Sequence, residues 1–267
     1  MKIDLHLHTT FSDGKLSPEE LLKYAYENHY GCISITDHDS TFGYQDAKKH
    51  VSKYPLELIP GVEVSTNYQG NDVHILGYYM DVEDVELNEM LKKIYDSRYG
   101  RAMQIVENLK TLGMHLEWTD VLKYAGENKY VGRPHIARAM IEKGFCKTIK
   151  EVFDNYLNND SPVYVPKYRI ETEAAIKTIK QAGGIPVIAH PGRLEDDALI
   201  YDFIEMGIMG IEVYYASHSS GQIKLYEQIA LEHNLIRTGG SDFHGFDFFY
   251  LNFSAPDICI KELKSAL

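Results

Sequence analysis

Short apolar segments recur along this chain of 267 residues, and most of them end in histidine, aspartate or glutamate. In the first, Ile3-Asp4-Leu5-His6-Leu7-His8, apolar and polar residues alternate as they do along a β-strand. His6 and His8 would therefore point to one face, close enough to share a metal ion. Similar segments predict six further strands, at residues 32–36, 56–66, 74–79, 185–189, 210–214 and 235–238.

Helical patterns separate most of these strands. Ser17-Pro18-Glu19-Glu20 predicts the start of the first helix, with Ser17 as the N-cap and Glu20 completing a capping box. Further helices are predicted at 43–54, 171–181, 195–206 and 221–233. Strands that alternate with helices favour a parallel barrel or an open parallel sheet. Residues 68–71 (Tyr-Gln-Gly-Asn) are too few for a helical crossover, so they predict a hairpin turn that makes the barrel irregular.

Residues 82–160 follow a different pattern, because strand signals give way to long helical periodicity. We expect an inserted all-helical subdomain within a discontinuous barrel domain made of residues 1–81 and 161–267. The insertion has 12 Lys and Arg against 13 Asp and Glu, a net charge of −1, whereas the remainder has 15 against 26, a net of −11. An insertion of this size is expected to cover the mouth of the active site.

Charge and composition exclude several classes of protein. The net charge of −12 argues against a partner that is a long nucleic acid held by charge alone. The three cysteines are far apart in the sequence and predict reduced thiols in a cytoplasmic protein. We expect no signal peptide before His6, and no apolar run reaches the length of a membrane span.

Ligand-type residues cluster at the predicted strand ends, which converge on one face of a parallel barrel. They include six of the twelve histidines. The full set is His6, His8, Asp13, Asp37, His38, Asp39, Glu63, His74, His190, Asp242 and His244. Carboxylates and imidazoles collected in one place predict a multinuclear metal site, and the mixture of nitrogen and oxygen favours Mn, Fe or Zn over Ca or Mg.

Six motifs carry a resemblance to a known family. In order they are HLHTTFSDG, TDHD, PGVEVS, HILGYY, AHPG and SDFHG. The chain resembles the PHP (polymerase and histidinol phosphatase) family, and in particular its stand-alone phosphoesterases with a helical insertion. That branch includes 3′,5′-nucleoside bisphosphate phosphatases and 5′→3′ exoribonucleases. The resemblance covers residues 1–80 and 160–250 and implies a distorted (β/α)7 barrel, in agreement with the seven predicted strands.

The resemblance also implies how the ligands are grouped. One metal would be held by His6, His8, Glu63 and Asp242. Glu63 would bridge to a second metal, held also by His74 and His190. A third would be held by Asp13, His38 and His244. Glu63, Asp242 and His190 would take part in catalysis, while Asp4, Asp37 and Asp39 are expected to support the ligands or cap loops.

Substrate contacts are predicted at four basic residues. Arg133 and His135 lie in a Gly-Arg-Pro-His segment that resembles one facing the active site in this branch. Lys167 follows the insertion, and Arg193 follows His190-Pro191-Gly192. An arginine at such a site could grip a phosphate through two hydrogen bonds.

The expected activity is hydrolysis of a small phosphate ester. Roughly two to three divalent ions would bind phosphate oxygens and activate a bridging hydroxide that attacks phosphorus. The substrate is expected to be a nucleotide, a 3′,5′-bisphosphate or a monophosphate. Alternatives are 5′→3′ exonuclease activity on short RNA, histidinol phosphatase activity, and a catalytically silent metal-binding PHP module. The complete ligand set argues against the last.

Overall fold

The structure, a computed structural model, describes residues 1–125, 131–166, 168, 170–245 and 253–267. The chain divides into two compact units. Met1–Leu91 and Arg169–Leu267 together form what we call the barrel unit, and Lys92–Tyr168 form the helical unit. No helix in the described ranges is long and apolar enough to cross a membrane.

The described part of the barrel unit has eight strands, and seven of them follow one another in a single sheet path. The strands are β1 (Lys2–Leu7), β2 (Tyr30–Ile35), β3 (Glu57–Tyr68), β4 (Asn71–Tyr78), β5 (Ile170–Glu171), β6 (Ile185–Ile188), β7 (Gly210–Tyr215) and β8 (Ile236–Gly240). Their order is β1-β2-β3-β4-β6-β7-β8, and the two-residue β5 pairs with β3 alone. Neighbours are parallel, except that β4 runs antiparallel to both β3 and β6.

The sheet closes on itself where the end of β8 meets β1. The Asp242 amide donates to the His6 carbonyl at 2.9 Å, and the His8 amide donates to the Phe243 carbonyl at 3.0 Å. The predicted distorted seven-strand barrel is thereby confirmed. The closure also brings Asp242 and both β1 histidines together at one end of the barrel.

The reversal of β4 has a local cause. Gln69 and Gly70 both have positive φ, 51° and 93°, as a two-residue hairpin turn requires. In the hairpin His74 pairs with Ser65, two residues beyond Glu63 on β3, so side-chain alternation places His74 and Glu63 on one face. The predicted turn is therefore the feature that delivers His74 to the site.

Ten α-helices accompany the strands among the described residues. They are α1 (Pro18–Glu27), α2 (Phe42–Lys48), α3 (Val85–Thr111), α4 (Trp118–Leu122), α5 (Arg133–Glu142), α6 (Ile149–Val152), α7 (Thr172–Gln181), α8 (Leu199–Glu205), α9 (Ser220–Glu232) and α10 (Asp257–Ser265). The predicted capping box at α1 is present, with Ser17 and Glu20 each bonding the other's backbone amide.

Two predicted helices have different bounds. The helix predicted at 43–54 is α2 followed by a separate 3-10 turn at Val51–Lys53. The helix predicted from residue 195 begins at Leu199, because the Asp196 carboxylate accepts the Ala198 amide at 2.8 Å and holds the preceding residues in a turn.

The barrel unit has apolar clusters on the faces of β1 that its alternation predicts. Ile3 and Leu5 pack with residues of β2, β3, β4, β6 and α10. Leu7 packs with residues of α1, β2 and α2. Asp4 and His6 occupy alternate positions of β1, His8 directly follows the strand, and all three are also buried. A buried strand therefore holds His6 and leads into His8.

The helical unit has a hydrophobic core of its own. Leu109 of α3, Val121 of α4, Ile136 and Met140 of α5, and Val152 of α6 are all buried in one cluster. Regular structure in the described part of this unit is helical. The division at 92 and 168 falls later than the predicted limits of 82 and 160, since the first turns of α3 belong to the barrel unit. That the insertion covers an active site stays a prediction.

Candidate metal centre

His6 on β1 and His8, which directly follows it, aim their imidazole rings at two carboxylates. Both Nε2 atoms lie 3.3 Å from Glu63 Oε2, and they lie 3.6 Å and 3.1 Å respectively from Asp242 Oδ1. Each of these four residues offers a ligand atom within 4.8 Å of the others. They are the set that the family resemblance implies for one metal.

Glu63 stands at the centre of the site and is fully buried on β3. Its Oε2 atom lies 3.0 Å from His38 Nδ1, in addition to its contacts with His6 and His8. Its Oε1 atom lies 2.8 Å from His74 Nδ1 and 2.9 Å from His190 Nε2. A carboxylate with histidine nitrogens around both oxygens has the geometry expected of a bridge between two ions.

In two further groups of residues, the ligand atoms also lie within 4.8 Å of one another. One is His8, Asp13, His38 and His244, and the other is His38, Glu63 and His74. In the first of these, Asp13 Oδ1 lies 3.1 Å from His244 Nε2 and Asp13 Oδ2 lies 3.9 Å from His38 Nε2. The three groups overlap in His8, His38 and Glu63, so neighbouring ions would share ligands.

The grouping differs from the implied one at His190 and His38. The resemblance pairs His190 with His74 and Glu63, whereas the structure groups His38 with them. His38 can serve both groups because its Nδ1 faces Glu63 and its Nε2 faces Asp13. His190 still lies in the site, where its Nε2 is hydrogen-bonded to Glu63 Oε1.

The electrostatics of the cluster favour added positive charge. Burial alone would raise the pKa of Glu63, but His38, His6 and His74 hold that pKa well below its usual value. For Asp242 burial is likewise outweighed by His6 and His8, and its pKa is lowered. Burial alone would lower the pKa of His8, yet Asp242 and Glu63 raise it to about 10. The carboxylates therefore stay ionised at neutral pH, as metal binding requires.

The donor atoms fit a metal. Among the described residues, five buried side-chain atoms of the site make no hydrogen bond although their neighbours lie within 3.0–3.3 Å. They are His6 Nε2, His8 Nε2, Asp13 Oδ1, His38 Nδ1 and Glu63 Oε2. Buried polar atoms without a hydrogen bond are costly, and coordination of a divalent ion would satisfy them. Imidazole and carboxylate together suit Mn, Fe or Zn.

Neighbouring aspartates hold the segments that carry the ligands. Asp37 accepts the Thr9 amide and hydroxyl, each at 2.7 Å, and the Ser12 hydroxyl at 2.6 Å, which fixes the loop before Asp13. Asp4 accepts the His6 amide and, at 2.9 Å, the Ser241 amide. Asp39 accepts the Ser65 amide at 2.7 Å. These contacts agree with the supporting roles expected for the three residues.

Three residues of the site have a backbone conformation that is costly for any residue except glycine. The φ angles are 27° at His190, 54° at Asp39 and 58° at Asp242. Each immediately follows or lies close to the end of a strand, where the chain must turn sharply to aim the side chain. Strain concentrated in this way is common at functional sites.

Glu212 belongs to the site but did not emerge from the sequence. It is fully buried on β7, with Oε1 3.0 Å from His6 Nδ1 and Oε2 accepting the His190 amide at 2.7 Å. The predicted ligand-type residues cluster at strand ends, whereas Glu212 lies inside its strand. A glutamate within the otherwise apolar run Gly-Ile-Glu-Val-Tyr was the available signal, because a buried carboxylate needs partners.

Arg193 stands at the edge of the cluster. Its Nη2 atom lies 3.0 Å from Asp242 Oδ2, and it also donates to the Tyr215 hydroxyl, which in turn donates to the same Asp242 oxygen at 3.1 Å. Its side chain is 55% exposed. The guanidinium is therefore accessible to solvent at the edge of the cluster, and its contact with substrate stays a prediction.

The other predicted substrate contacts lie in or beside the helical unit. Arg133 donates to the Leu157 carbonyl at 2.9 Å and lies over the ring of Phe153. His135 Nδ1 accepts the Gly132 amide at 3.0 Å and so caps α5. Lys167 lies outside the described residues. Contact of these three residues with substrate stays a prediction.

Comparisons with known proteins agree along almost the whole chain. A family described as the PHP domain matches residues 4–238. The 3′,5′-nucleoside bisphosphate phosphatase of Chromobacterium violaceum is 34% identical over 247 residues, which cover 91% of this chain and 87% of that protein. The 5′-3′ exoribonuclease Rnm of Escherichia coli is 36% identical over 250 residues, covering 90% of this chain and 84% of that protein.

A solved structure gives the same result. A protein of Bifidobacterium adolescentis assigned to the metal-dependent phosphoesterases superposes with a TM-score of 0.88 at 30% identity, covering 99% of this chain and 96% of that one. The predicted family and its enzyme class, a hydrolase of phosphate esters, are confirmed. The chain belongs to the PHP domain family.

Proposed function

We propose that this PHP protein hydrolyses the phosphate ester of a small nucleotide at a centre of roughly two to three divalent ions. The observation that carries the proposal is the overlap of three ligand groups around Glu63, His8 and His38. The proposed ligands are His6, His8, Asp13, His38, Glu63, His74, His190, Asp242 and His244. Mn, Fe and Zn remain the proposed metals.

Some residues of the site would bind the metal ions, and others would orient the phosphate. Glu63 would spread one negative charge over two ions, and Asp242 would complete the first ligand group while bonding Tyr215 and Arg193. Bound divalent ions would neutralise phosphate charge and lower the pKa of water enough for attack on phosphorus. His190 would stand beside Glu63, and Arg193 would offer guanidinium N–H groups to the phosphate oxygens.

The relatives support two substrate classes. The C. violaceum relative is named for a nucleoside bisphosphate, a small substrate, and the E. coli relative for RNA. The net charge of −12 argues against a long polyanion held along the surface. We therefore place the small nucleotide first and short RNA degraded from its 5′ end second, because of the 36% identity to an exoribonuclease. Histidinol phosphate remains a third candidate, supported by the family resemblance.

A substrate panel tests the proposal. Mn²⁺-loaded protein would be offered a 3′,5′-bisphosphate, nucleoside monophosphates, short 5′-phosphorylated RNA and histidinol phosphate. We expect phosphate release with the highest kcat/KM on the bisphosphate. A preference for RNA would move the exonuclease to first place, and no turnover of any ester by a fully metal-loaded chain would contradict the proposal.

On the resemblance, we also propose that Arg133, with His135 and Lys167, contacts the part of the substrate that does not react. Arg133→Ala should lower kcat/KM for a bisphosphate by ~30–150-fold and change little for a monophosphate, because a charge-assisted contact is worth ~2–3 kcal/mol. Arg133→Lys, which keeps the charge, is the matched variant. Equal kinetics of wild type and Arg133→Ala on both substrates, with only a lowered Tm, would leave Arg133 the role of bonding Leu157 and packing on Phe153.

A further inference from the structure

Glu212 connects two parts of the metal centre that come from different strands. Its Oε1 atom lies 3.0 Å from Nδ1 of His6, which is on β1. Its Oε2 atom accepts, at 2.7 Å, the backbone amide of His190, which follows β6. Glu212 itself is on β7 and has no solvent exposure. A carboxylate buried so deeply must be satisfied by its neighbours, and here each oxygen has one.

The contact with His6 fixes which ring nitrogen is available to a metal. A carboxylate oxygen accepts a hydrogen bond, so the His6 nitrogen that faces it, Nδ1, carries the proton. With a metal ion held by Glu63 and Asp242, the other nitrogen, Nε2, would offer its lone pair to that ion. A histidine ligand whose second nitrogen donates to a carboxylate is held in one tautomer and one orientation.

The second contact of Glu212 is with the backbone amide of His190 and not with its ring. His190 has φ 27° and ψ 60°, a conformation that costs free energy in any residue with a side chain. The hydrogen bond from its amide to Glu212 is buried and charge-assisted, which makes it one of the stronger kinds. It offsets part of that cost and keeps the His190 ring on Glu63 Oε1.

We propose that Glu212 is a positioning residue that aligns two ligand residues of the metal centre, by giving one carboxylate oxygen to the His6 ring and the other to the His190 backbone. The inference rests on the proposed metal centre. It explains why a glutamate is needed, since both partners are donors and a side chain with two acceptor oxygens is required to serve both.

Glu212→Gln tests this requirement with almost no change in volume. The amide offers one acceptor oxygen and one NH₂ donor. If the oxygen stays with the His190 amide, the NH₂ faces His6 Nδ1 and favours the tautomer with the proton on Nε2, which removes the lone pair aimed at the metal. We expect affinity for Mn²⁺ or Zn²⁺ to fall ~10–100-fold, measured by calorimetric titration, with the fold retained by circular dichroism.

Glu227→Gln is the matched control. Glu227 accepts the Tyr214 hydroxyl at 2.6 Å, so it is also a carboxylate bonded to β7, but it contacts none of the ligands. Its replacement should leave metal affinity unchanged. Wild-type metal affinity in a folded Glu212→Gln variant would overturn the inference about Glu212, whereas a wild-type chain that binds no metal would overturn the metal centre itself.

A spectroscopic measurement on the wild-type protein covers the case in which the variant does not fold. In the Zn²⁺-loaded protein, imidazole ¹⁵N chemical shifts should show His6 protonated at Nδ1 and bound to metal through Nε2. Metal bound through Nδ1 of His6 would overturn the inference, because that atom could not then donate to Glu212.

Discussion

Glu63 shows how a single residue can set the geometry of a site. It is fully buried, and its two oxygens lie within 3.3 Å of nitrogens from five histidines. Such a position is tolerable only because the surrounding positive charge outweighs the cost of burial. Replacement of this one carboxylate should therefore affect more than one ion.

Glu63→Gln is expected to lower phosphatase activity by roughly 10²-fold or more and to weaken metal binding as well. Glu57→Gln, at the half-buried start of the same strand and ion-paired with Lys264, should leave both unchanged. Steady-state kinetics and metal titration on the two variants would measure this. Wild-type turnover in Glu63→Gln would show that the bridge has been assigned to the wrong residue.

His218, which is not itself a proposed ligand, gives the stability of the protein a pH dependence. Its Nδ1 donates to the Val213 carbonyl at 2.9 Å and its Nε2 accepts the Gly192 amide at 3.2 Å. Protonation of His218 Nε2 would place a second N–H against the Gly192 amide and break this hydrogen bond. In agreement, burial lowers the pKa of His218 below its ordinary value of 6.5. The unfolded chain then binds this proton more readily, so stability is complete above pH 6.5 and is lost as pH falls below it.

His218→Gln keeps one acceptor and one donor but cannot titrate. Urea unfolding at pH 8 and pH 5.5 should show that the wild type loses more stability on acidification than the variant does. Because the other histidines are common to both proteins, their titration cancels in the difference. Equal losses in the two proteins would contradict the role given to His218.

At the scale of elements, the junction of β8 with β1 determines the metal centre, since it joins the strand of His6 to the segment of Asp242. Gly240 makes that approach possible. A Cβ at this position would lie 2.1 Å from His6 Cβ and 2.7 Å from the His6 amide nitrogen. The obstructing atoms are backbone or attached to it, so they cannot rotate away.

Gly240→Ala is expected to destabilise the fold by ~1–3 kcal/mol and to weaken metal binding by displacing His6. Gly100→Ala is the control, because nothing lies within 4 Å of a Cβ at that position in α3. It should raise stability by ~0.5–1 kcal/mol, as alanine is a better helix former. Thermal unfolding of both variants measures the contrast, and an unchanged Tm and metal affinity in Gly240→Ala would contradict the account of the junction.

Features with a local cause could be predicted from the sequence. The α1 capping box and the Tyr68–Asn71 hairpin depend on residues adjacent in the chain, and both are present. Features that arise from contacts between distant segments could not. Glu212 acquires its partners from β1 and the end of β6, and the shared position of His38 between two ligand groups appears only when the strands are assembled.

In the whole molecule, the two units differ in the proposed functional residues that they carry. The barrel unit carries every proposed ligand, whereas the helical unit carries Arg133 and His135 on its own hydrophobic core. The contrast agrees with a stable scaffold for chemistry and a separately packed element for selectivity. The Arg133→Ala variant therefore tests whether a residue of the helical unit contributes to substrate selectivity.

Metal content shows whether this PHP chain holds a multinuclear metal centre. Protein supplemented with Mn²⁺ or Zn²⁺ and then freed of excess metal would be examined by elemental analysis. We expect roughly two to three ions per chain, because three overlapping ligand groups surround Glu63. Less than one ion per chain under both conditions would contradict this expectation.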